Sequence, residues 1–413
     1  MDSSNYGLAD FQNKGEVDVV SLAAKFDEFR RDMHEKRHEN YRRVSLSGSQ
    51  PVMRVLDPYT GQEREMLYFA SNDYLNLTRH PKAIEAAKRA IDKYGVGAGS
   101  VPLLGGTLDL HIEVEKKVAD FKRCEKALIF SSGFGSNSGA ISALLGEKGI
   151  AILDLLVHAS IIDGCQARTM HFFRHNDMTS LESVLKKVAD KKVTKLVIVD
   201  GVYSMDGDIA KLDQICELAH AYGAIVMVDE AHATGVIGAN GRGTPEHFGI
   251  EGKVDIVAGT CSKAVGVVGG FIAGSEQIIN YLHYYARSYM FSTASTPAAT
   301  AAIGAAIDII QEEPWLREKL WENIHYFKAG LLALGADIGN AETAIFPVIL
   351  GEDGKVKEIC RELHENNIYV NPVLYPAVQR RLARVRFSLM AQHTKEHLDR
   401  TLNIMESLLK KYK

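Results

Sequence analysis

The chain has 413 residues, a formal net charge of −4 and 46% apolar residues, which is the composition of a globular protein. Its length exceeds what one compact core usually holds, so we expect one large domain and one smaller domain. The acidic balance, and the lack of a basic block with interleaved aromatic residues, argue against a nucleic-acid-binding protein.

Cysteine usage and the N-terminus bear on metal binding, compartment and membranes. The five cysteines are widely spaced and no pair has metal-ligand spacing, so we predict no metal site and a reducing, cytoplasmic location. The N-terminus is polar and acidic, unlike a signal peptide. No apolar run reaches the roughly 18 residues of a membrane span, so we predict no transmembrane segment. For the N-terminal helix, packing against protein is favoured and peripheral membrane contact stays an alternative.

The first elements in chain order are an amphipathic helix over residues 19–43 and a hairpin over residues 52–69, centred on the turn sequence DPYTGQ. From about residue 80 onward, the order strand, loop, helix repeats. These strands are apolar throughout rather than alternating, which predicts a mostly parallel sheet covered by helices on both faces.

The last part of the chain has a different pattern. A long helical stretch runs to about residue 335, and the final hundred residues mix strands with helices, as in a small α+β domain. We predict an N-terminal segment over 1–65, a large domain over 66–305 and a small C-terminal domain over 306–413.

The stretch MVDEAHATG, residues 227–235, contains the letters of a helicase magnesium-and-ATP box. Such a motor also needs the phosphate cradle G-x-x-x-x-G-K-[ST]. Gly252-Lys253 and Gly354-Lys355 are each followed by Val, and neither has the upstream glycine. The glycine-rich YGVGAGSVPLLGG has Ser100 where a dinucleotide fingerprint needs its third glycine. We therefore reject a nucleotide-driven motor and look for another use of the acid and the histidine.

Polar residues follow several of the apolar strands, and ligands of parallel α/β sheets bind at the carboxyl ends of the strands. Ser204, Asp229, His232 and Lys263 are therefore predicted to converge. Lys263 is a lone lysine among small residues, where partial removal from water would favour a neutral, nucleophilic amine. In isolation, a lysine in such a stretch is more often a residue of a surface loop.

A nucleophilic lysine with a strand-end carboxylate is what pyridoxal phosphate requires, because the carboxylate keeps the ring nitrogen protonated and the ring then accepts electrons. Asp229 is suited to that role, and His232 to donating to the phenolate oxygen of the ring. The turn SSGFGSN, residues 131–137, opens a helix, and helix N-termini bind phosphate. We predict pyridoxal phosphate as the cofactor.

At this point the sequence resembles the α-oxoamine synthases, a pyridoxal-phosphate family of aminotransferase fold type I. The resemblance covers roughly residues 65–410 and its overall pattern is nearest to the bacterial serine palmitoyltransferases. It is carried by FASNDYLNLTRHP, GGTLDLHIEVE, FSSGFGSN, HASIIDG, VDGVYSMDGDIAKL, VDEAHATGVIGANGRG, TCSKAVGVVGG, FSTASTP and VRFSLMAQHT. The resemblance implies a seven-stranded, mostly parallel sheet in the large domain and a smaller α+β C-terminal domain.

The resemblance also implies catalytic roles. Lys263 would form the Schiff base with the cofactor and move protons at the substrate Cα. Asp229 would pair with the ring nitrogen, and His232 would contact the phenolate oxygen with Ser204 close by. His158 of the HAS sequence would stack on the ring and orient the substrate carboxylate or the acyl thioester.

Phosphate and substrate contacts follow from the same resemblance. The groups expected at the phosphate are the backbone of Gly133 and Phe134 together with Thr260 and Ser262. Ser292 and Thr293 would reach the phosphate of a neighbouring subunit's cofactor, which implies a homodimer with shared active sites. Asn72 and Arg386 would face the substrate, with the guanidinium of Arg386 clamping the carboxylate.

The sequence departs from the family pattern at three places. Val157 stands where a polar residue, often Asn, is usual; Val101-Pro102 stands where many members carry Arg; Cys261 stands where Phe is common. The first two departures lie where family members recognise the substrate, so the identity of the amino acid substrate stays open.

The activity that we predict from the resemblance is a decarboxylating condensation of L-serine with a long-chain acyl-CoA, giving an α-amino ketone of the 3-ketosphinganine type. One alternative uses cysteate, for sulfonolipid bases. Another is a member that uses glycine or alanine, such as an amino-ketobutyrate ligase or an aminooxononanoate synthase. Two further classes are an aminotransferase without an acyl donor and a scaffold without chemistry. A carrier-protein donor in place of CoA also stays open.

Overall fold

The computed structural model describes residues 6–15 and 17–412. The chain forms two compact units, of which one comprises Met1–Ser71, Met205–Gly207 and Leu320–Lys413, and the other Asn72–Ser204 and Asp208–Lys319. The first and last segments of the chain thus belong to one unit. The domain boundaries drawn from the sequence stay predictions.

The strands are numbered along the chain. They are β1 (Val52–Leu56), β2 (Glu63–Tyr68), β3 (Lys126–Phe130), β4 (Ile150–Asp154), β5 (Thr169–Phe173), β6 (Lys195–Asp200), β7 (Ile225–Asp229), β8 (Ile256–Thr260), β9 (Gly270–Gly274), β10 (Ile345–Gly351), β11 (Ile368–Tyr369), β12 (Asn371–Val373) and β13 (Ala383–Ser388).

The helices are numbered in the same way, and among the described residues none is long and apolar enough to cross a membrane. They are α1 (Val19–Glu35), α2 (Pro81–Tyr94), α3 (Asp109–Lys122), α4 (Gly133–Leu145), α5 (Ala159–Gly164), α6 (Met178–Val188), α7 (Leu212–Ala221), α8 (Thr244–His247), α9 (Glu276–Tyr285), α10 (Arg287–Met290), α11 (Pro297–Glu312), α12 (Trp315–Ala333), α13 (Asp353–Glu365) and α14 (Lys395–Lys411).

The larger unit is built on a seven-stranded sheet in the order β3-β9-β8-β7-β6-β4-β5. The run from β8 to β5 is parallel, and β9 is antiparallel to both of its neighbours. Every residue of β4 and β6 is buried, as expected of strands covered on both faces. The predicted α/β fold with a mostly parallel sheet is confirmed.

The smaller unit contains two three-stranded sheets. One has the order β1-β2-β11 and the other the order β10-β13-β12. Strands β1 and β2 pair antiparallel around the DPYTGQ turn, so the hairpin expected over residues 52–69 is present. Helices α13 and α14 accompany these sheets in the α+β manner predicted for the end of the chain.

Helix α1 is shorter than the predicted helix over residues 19–43. It begins after Asp18, whose side chain accepts from two backbone N–H groups, and it ends at Glu35. Arg37 adopts a left-handed φ of 57°, and the N–H of His38 donates back to the carbonyl of Met33 at 2.8 Å. This left-handed turn closes the helix, although the polar residues beyond it are compatible with a longer one.

Three neighbouring parallel strands end in a buried aspartate. Strands β4, β6 and β7 end in Asp154, Asp200 and Asp229, and these strands lie side by side in the sheet. The three residues are 0%, 3% and 4% exposed. Three carboxyl groups at one buried edge cannot all be charged without compensation, so their surroundings differ.

Asp154 is compensated by His175, which follows β5. Nδ1 of His175 lies 3.0 Å from an oxygen of Asp154, and Nε2 lies 2.8 Å from an oxygen of Asp208. Burial alone would lower the pKa of His175, but the hydrogen bonds to the two carboxylates outweigh it and raise the pKa to about 10. The protonated ring therefore ties the ends of β4 and β5 to the loop that carries Asp208.

Replacing His175 by Gln removes this cation, and we expect the free energy of unfolding to fall by about 1–3 kcal/mol at pH 7. The pKa of His175 is higher in the folded protein than its unfolded value of 6.5. The contribution of His175 to stability is therefore fully present below pH 6.5 and is lost as the pH rises toward 10. The difference between wild type and variant should therefore shrink over that range. Urea titrations at several pH values measure it, and a constant difference would contradict the charged bridge.

Candidate active site

A cavity of about 280 Å³ lies at the carboxyl ends of the strands in the larger unit. Eight of the predicted site residues line it, namely Gly133, Phe134, His158, Asp229, His232, Thr260, Ser262 and Lys263. The wall also contains residues that the sequence did not single out, namely Ser132, Asn137, Ser160, Asp200, Ala231 and Gly259. The edge of the sheet thus collects side chains that are more than a hundred residues apart in sequence.

One wall of the cavity is suited to an anion. Ser132 caps helix α4 by accepting from the N–H of Gly135 at 3.0 Å, and the first N–H groups of the helix have no intrahelical partner. A Cβ on Gly133 would come within 2.5 Å of the Thr260 side chain, so glycine lets the helix begin this close to β8. The hydroxyls of Thr260 and Ser262 lie 2.8 Å apart beside it.

The carboxyl group of Asp229 accepts hydrogen bonds from two donors. The amide Nδ2 of Asn137 donates to its Oδ2 at 2.6 Å, and the backbone N–H of Ala231 donates to its Oδ1 at 2.9 Å. Two donors stabilise a carboxylate in a fixed orientation. Such a group suits the pairing with a protonated ring nitrogen that was predicted for Asp229.

Lys263 contacts the histidine that follows Asp229 in sequence. Its Nζ lies 2.5 Å from Nε2 of His232, and Nδ1 of the same ring lies 2.7 Å from the hydroxyl of Tyr74. Tyr74 is 1% exposed, so the bond holds the ring from inside the unit. The amine, the imidazole and the phenol form one continuous chain of hydrogen bonds.

His158 is the N-terminal cap of helix α5 and is held on both sides. Its backbone N–H donates to Oδ1 of Asp200 at 3.3 Å, and its Nδ1 lies 2.8 Å from the hydroxyl of Ser160. Burial lowers the pKa of His158 below its ordinary value, although the charge of Asp229 opposes the shift. The ring is therefore neutral near pH 7.

Asp200 lies directly beside Asp229, because the two residues are paired across β6 and β7. Among the described residues, its carboxyl group receives a hydrogen bond from the N–H of His158 and has no basic partner at ion-pair distance. Burial, reinforced by the charge of Asp229, raises the pKa of Asp200 well above its usual range. The neutral form of Asp200 is therefore favoured beside Asp229, as in other carboxyl pairs that share one charge.

The remaining predicted residues do not line the cavity. Asn72 and Ser204 lie at the ends of segments of the larger unit. Ser292 and Thr293 lie between α10 and α11, where Thr293 is exposed. Arg386 lies on β13 of the smaller unit, paired with Pro347 and Asn371. The roles of these residues stay predictions.

The cavity contains what pyridoxal phosphate needs. It has helix N-terminal N–H groups and hydroxyls for a phosphate, a carboxylate with a fixed orientation for a ring nitrogen, and a lysine amine next to an imidazole. The close approach of Gly133 to Thr260 brings the phosphate groups together. The residues present therefore fit the cofactor.

Two substitutions at Asp200 test whether its side chain acts as a neutral acid. Asp200→Asn keeps the size and the acceptor for the His158 N–H, so we expect cofactor affinity within about threefold of wild type. Asp200→Ala leaves that N–H buried without an acceptor and should weaken binding by about tenfold, at a cost of ~1–3 kcal/mol. Absorbance titrations with pyridoxal phosphate measure both. An Asn variant as weak as the Ala variant would mean that Asp200 acts as a carboxylate.

Comparison with known proteins places the chain in a family. Residues 64–404 match the family described as aminotransferase class I and II. An 8-amino-7-oxononanoate synthase of Thermoanaerobacter pseudethanolicus is 48% identical over 347 residues, which is 84% of this chain and 88% of the relative. A Bacillus subtilis enzyme of the same name is 45% identical over 353 residues, 85% of this chain and 90% of the relative.

Solved structures show the same fold. A serine palmitoyltransferase from S. paucimobilis matches with a TM-score of 0.90 at 31% identity, covering 96% of this chain and 99% of that one. An 8-amino-7-oxononanoate synthase from Francisella tularensis matches with a TM-score of 0.74 at 28% identity, covering 84% and 98%.

These comparisons correct the predicted substrates. L-Serine with a long-chain acyl-CoA is wrong as the main prediction, because relatives at 44–48% identity over most of the chain are 8-amino-7-oxononanoate synthases. The likeness to serine palmitoyltransferases, at 31–33% identity, reflects the shared fold and cofactor. The chain belongs to the aminotransferase class I and II family, as a pyridoxal-phosphate-dependent acyltransferase of the α-oxoamine synthase group.

Proposed function

We propose that this enzyme condenses L-alanine with a thioester of a seven-carbon dicarboxylic acid, releasing CO2 and giving 8-amino-7-oxononanoate. The observation that carries the proposal is the identity of 44–48%, over 84% or more of the chain, to synthases of that name. The aminooxononanoate synthase was one of the alternatives that the sequence left open.

The carbon skeleton of the proposed product identifies both substrates. In a decarboxylating condensation, the new bond joins the amino acid Cα to the carbonyl carbon of the acyl donor. The amino carbon C8 and the methyl carbon C9 then come from alanine, and C1 to C7 come from the dicarboxylic acyl group. The thiol leaves as the acyl group is transferred, and the alanine carboxylate leaves as CO2. We propose coenzyme A as that thiol.

Bound pyridoxal phosphate supplies an electron sink for the negative charge that develops at the amino acid Cα. We assign Lys263 as the amine that attaches the cofactor and later moves the Cα proton. His232, with Nε2 at 2.5 Å from Nζ, keeps that amine in place. Asp229, fixed by two donors, would hold the ring nitrogen of the cofactor in its positively charged form.

Substrate orientation decides which bond at Cα breaks, because the breaking bond must stand perpendicular to the ring. We assign His158 and Arg386 to that task, as the sequence predicted. The neutral ring of His158 suits a hydrogen bond to the thioester or to the alanine carboxylate. Arg386 and Asn72 are proposed to bind the carboxylate end of the substrate, since a guanidinium matches two carboxylate oxygens.

We also propose a homodimer in which Ser292 and Thr293 reach the partner's cofactor phosphate. The two residues follow Phe291, which is 67% exposed, and Tyr284 and Tyr285 in the same region are 59% and 58% exposed. Large aromatic side chains left in water are typical of surfaces that a partner covers. A second copy of the chain would bury them and complete the site.

The identity of the amino acid substrate is tested by titrating the cofactor-loaded enzyme with alanine, glycine, serine and cysteate. The visible absorption band of the cofactor is recorded during each titration. We expect a saturable change with L-alanine at the lowest concentration. With pimeloyl-CoA added, mass spectrometry should detect 8-amino-7-oxononanoate. Saturation by serine with no response to alanine would overturn the proposal.

The role of Lys263 is tested by Lys263→Ala, with release of coenzyme A followed by a thiol reagent. Losing the group that moves the proton should reduce turnover by about a thousandfold or more. Lys253→Ala, which alters an exposed loop lysine of the same unit, is the matched control and should retain wild-type turnover. Wild-type turnover by the Lys263 variant would refute the assignment.

A further inference from the structure

Two buried polar residues that the function has not used lie between Asp229 and His158. Asn137 is 3% exposed on helix α4, and Ser160 is 0% exposed on helix α5. The amide Nδ2 of Asn137 lies 2.6 Å from Oδ2 of Asp229 and 2.9 Å from Oγ of Ser160. Oγ of Ser160 in turn lies 2.8 Å from Nδ1 of His158.

The direction of the hydrogen bonds that Asn137 makes follows from one premise, that Asp229 is a carboxylate. A carboxylate only accepts, so the group of Asn137 that faces it must be the NH2 group, which only donates. The second proton of that NH2 group goes to Oγ of Ser160, which therefore accepts. Oγ of Ser160 keeps its own proton to donate, and Nδ1 of His158 lies within reach at 2.8 Å as the acceptor.

Two further contacts agree with this order. The backbone N–H of Ser160 also points to Nδ1 of His158, at the longer distance of 3.3 Å, and this second donor favours an unprotonated Nδ1. Turning the amide of Asn137 over would place its oxygen against Oδ2 of Asp229, where two acceptors repel. The observed orientation leaves the Asn137 oxygen buried without a hydrogen-bond partner among the described residues, so the two donated bonds outweigh that loss.

We infer that Asn137 and Ser160 are positioning residues that join Asp229 to His158 and hold the His158 ring as the tautomer with its proton on Nε2. His158 then presents a donor in the cavity. It can bind a carboxylate or a thioester carbonyl oxygen, and it cannot accept a proton on Nδ1 without breaking the chain of bonds. The carboxylate that orients the cofactor thereby also fixes the group that orients the substrate.

The inference rests on the proposed roles of Asp229 and His158, and it does not depend on which amino acid is the substrate. Its first test therefore uses no substrate. Nitrogen-15 NMR of the cofactor-loaded enzyme, labelled at histidine, distinguishes protonated from unprotonated ring nitrogens. His158→Gln identifies the signals of this ring.

We expect Nδ1 of His158 to give the shift of an unprotonated nitrogen in the wild type, and the proton to be shared between both nitrogens in Ser160→Ala. Ser138→Ala is the matched control, because Ser138 lies next to Asn137 on the same helix and is half-buried. This control should leave the His158 signals unchanged. A protonated Nδ1 in the wild type would overturn the inference.

The second test is a double-mutant cycle between Asn137 and Ser160. Ser160→Ala should keep cofactor affinity within about twofold, since both donors to Asp229 remain, and lower kcat/KM by about threefold to tenfold. Asn137→Ala should lower both the cofactor affinity and kcat/KM. Because the two residues act in one chain of hydrogen bonds, their effects should not multiply. The kcat/KM of the double variant should be at least about threefold higher than the product of the two single effects predicts. Multiplicative effects, or equal loss of cofactor in both single variants, would contradict the inference.

Discussion

Three carboxyl groups buried at the ends of adjacent strands are the constraint on which the site depends. Asp154, Asp200 and Asp229 end β4, β6 and β7, far enough from water that like charges there are costly. The surroundings give each one a different state. Asp154 shares the cationic ring of His175 with Asp208, burial favours the protonated form of Asp200, and Asp229 accepts hydrogen bonds from two donors, as its proposed pairing with the ring nitrogen of the cofactor requires.

The same hydrogen bonds connect the cofactor side of the cavity to the substrate side. His158 receives support from two of the three strand ends, through its N–H to Asp200 and, by our inference, through Ser160 and Asn137 to Asp229. Lys263 is held separately, through His232 and the buried hydroxyl of Tyr74. The reacting groups therefore lie on rigid elements whose positions are fixed by buried polar contacts, which is the arrangement that orientation-dependent chemistry requires.

Sequence patterns predicted the sheet and the main charged groups because both leave strong signals. Apolar strands followed by Asp229 or Lys263 place those residues at one edge of a parallel sheet. Asn137 and Tyr74 gave no comparable signal, since a neutral polar side chain looks the same in sequence whether it is buried or exposed. The amino acid was predicted wrongly for a related reason: the motifs that carry the family resemblance concern the cofactor chemistry, which alanine and serine would share.

The central claim is that Asp229, rather than its neighbour Asp200, is the carboxylate that supports the cofactor ring. The most direct measurement is the affinity of Asp229→Asn for pyridoxal phosphate, by absorbance titration, with thermal unfolding as the check on folding. Removing a charge-assisted hydrogen bond should weaken binding by about tenfold to a hundredfold and abolish the response of the absorption band to L-alanine. A folded Asp229→Asn enzyme with wild-type affinity and an unchanged response to alanine would contradict the account.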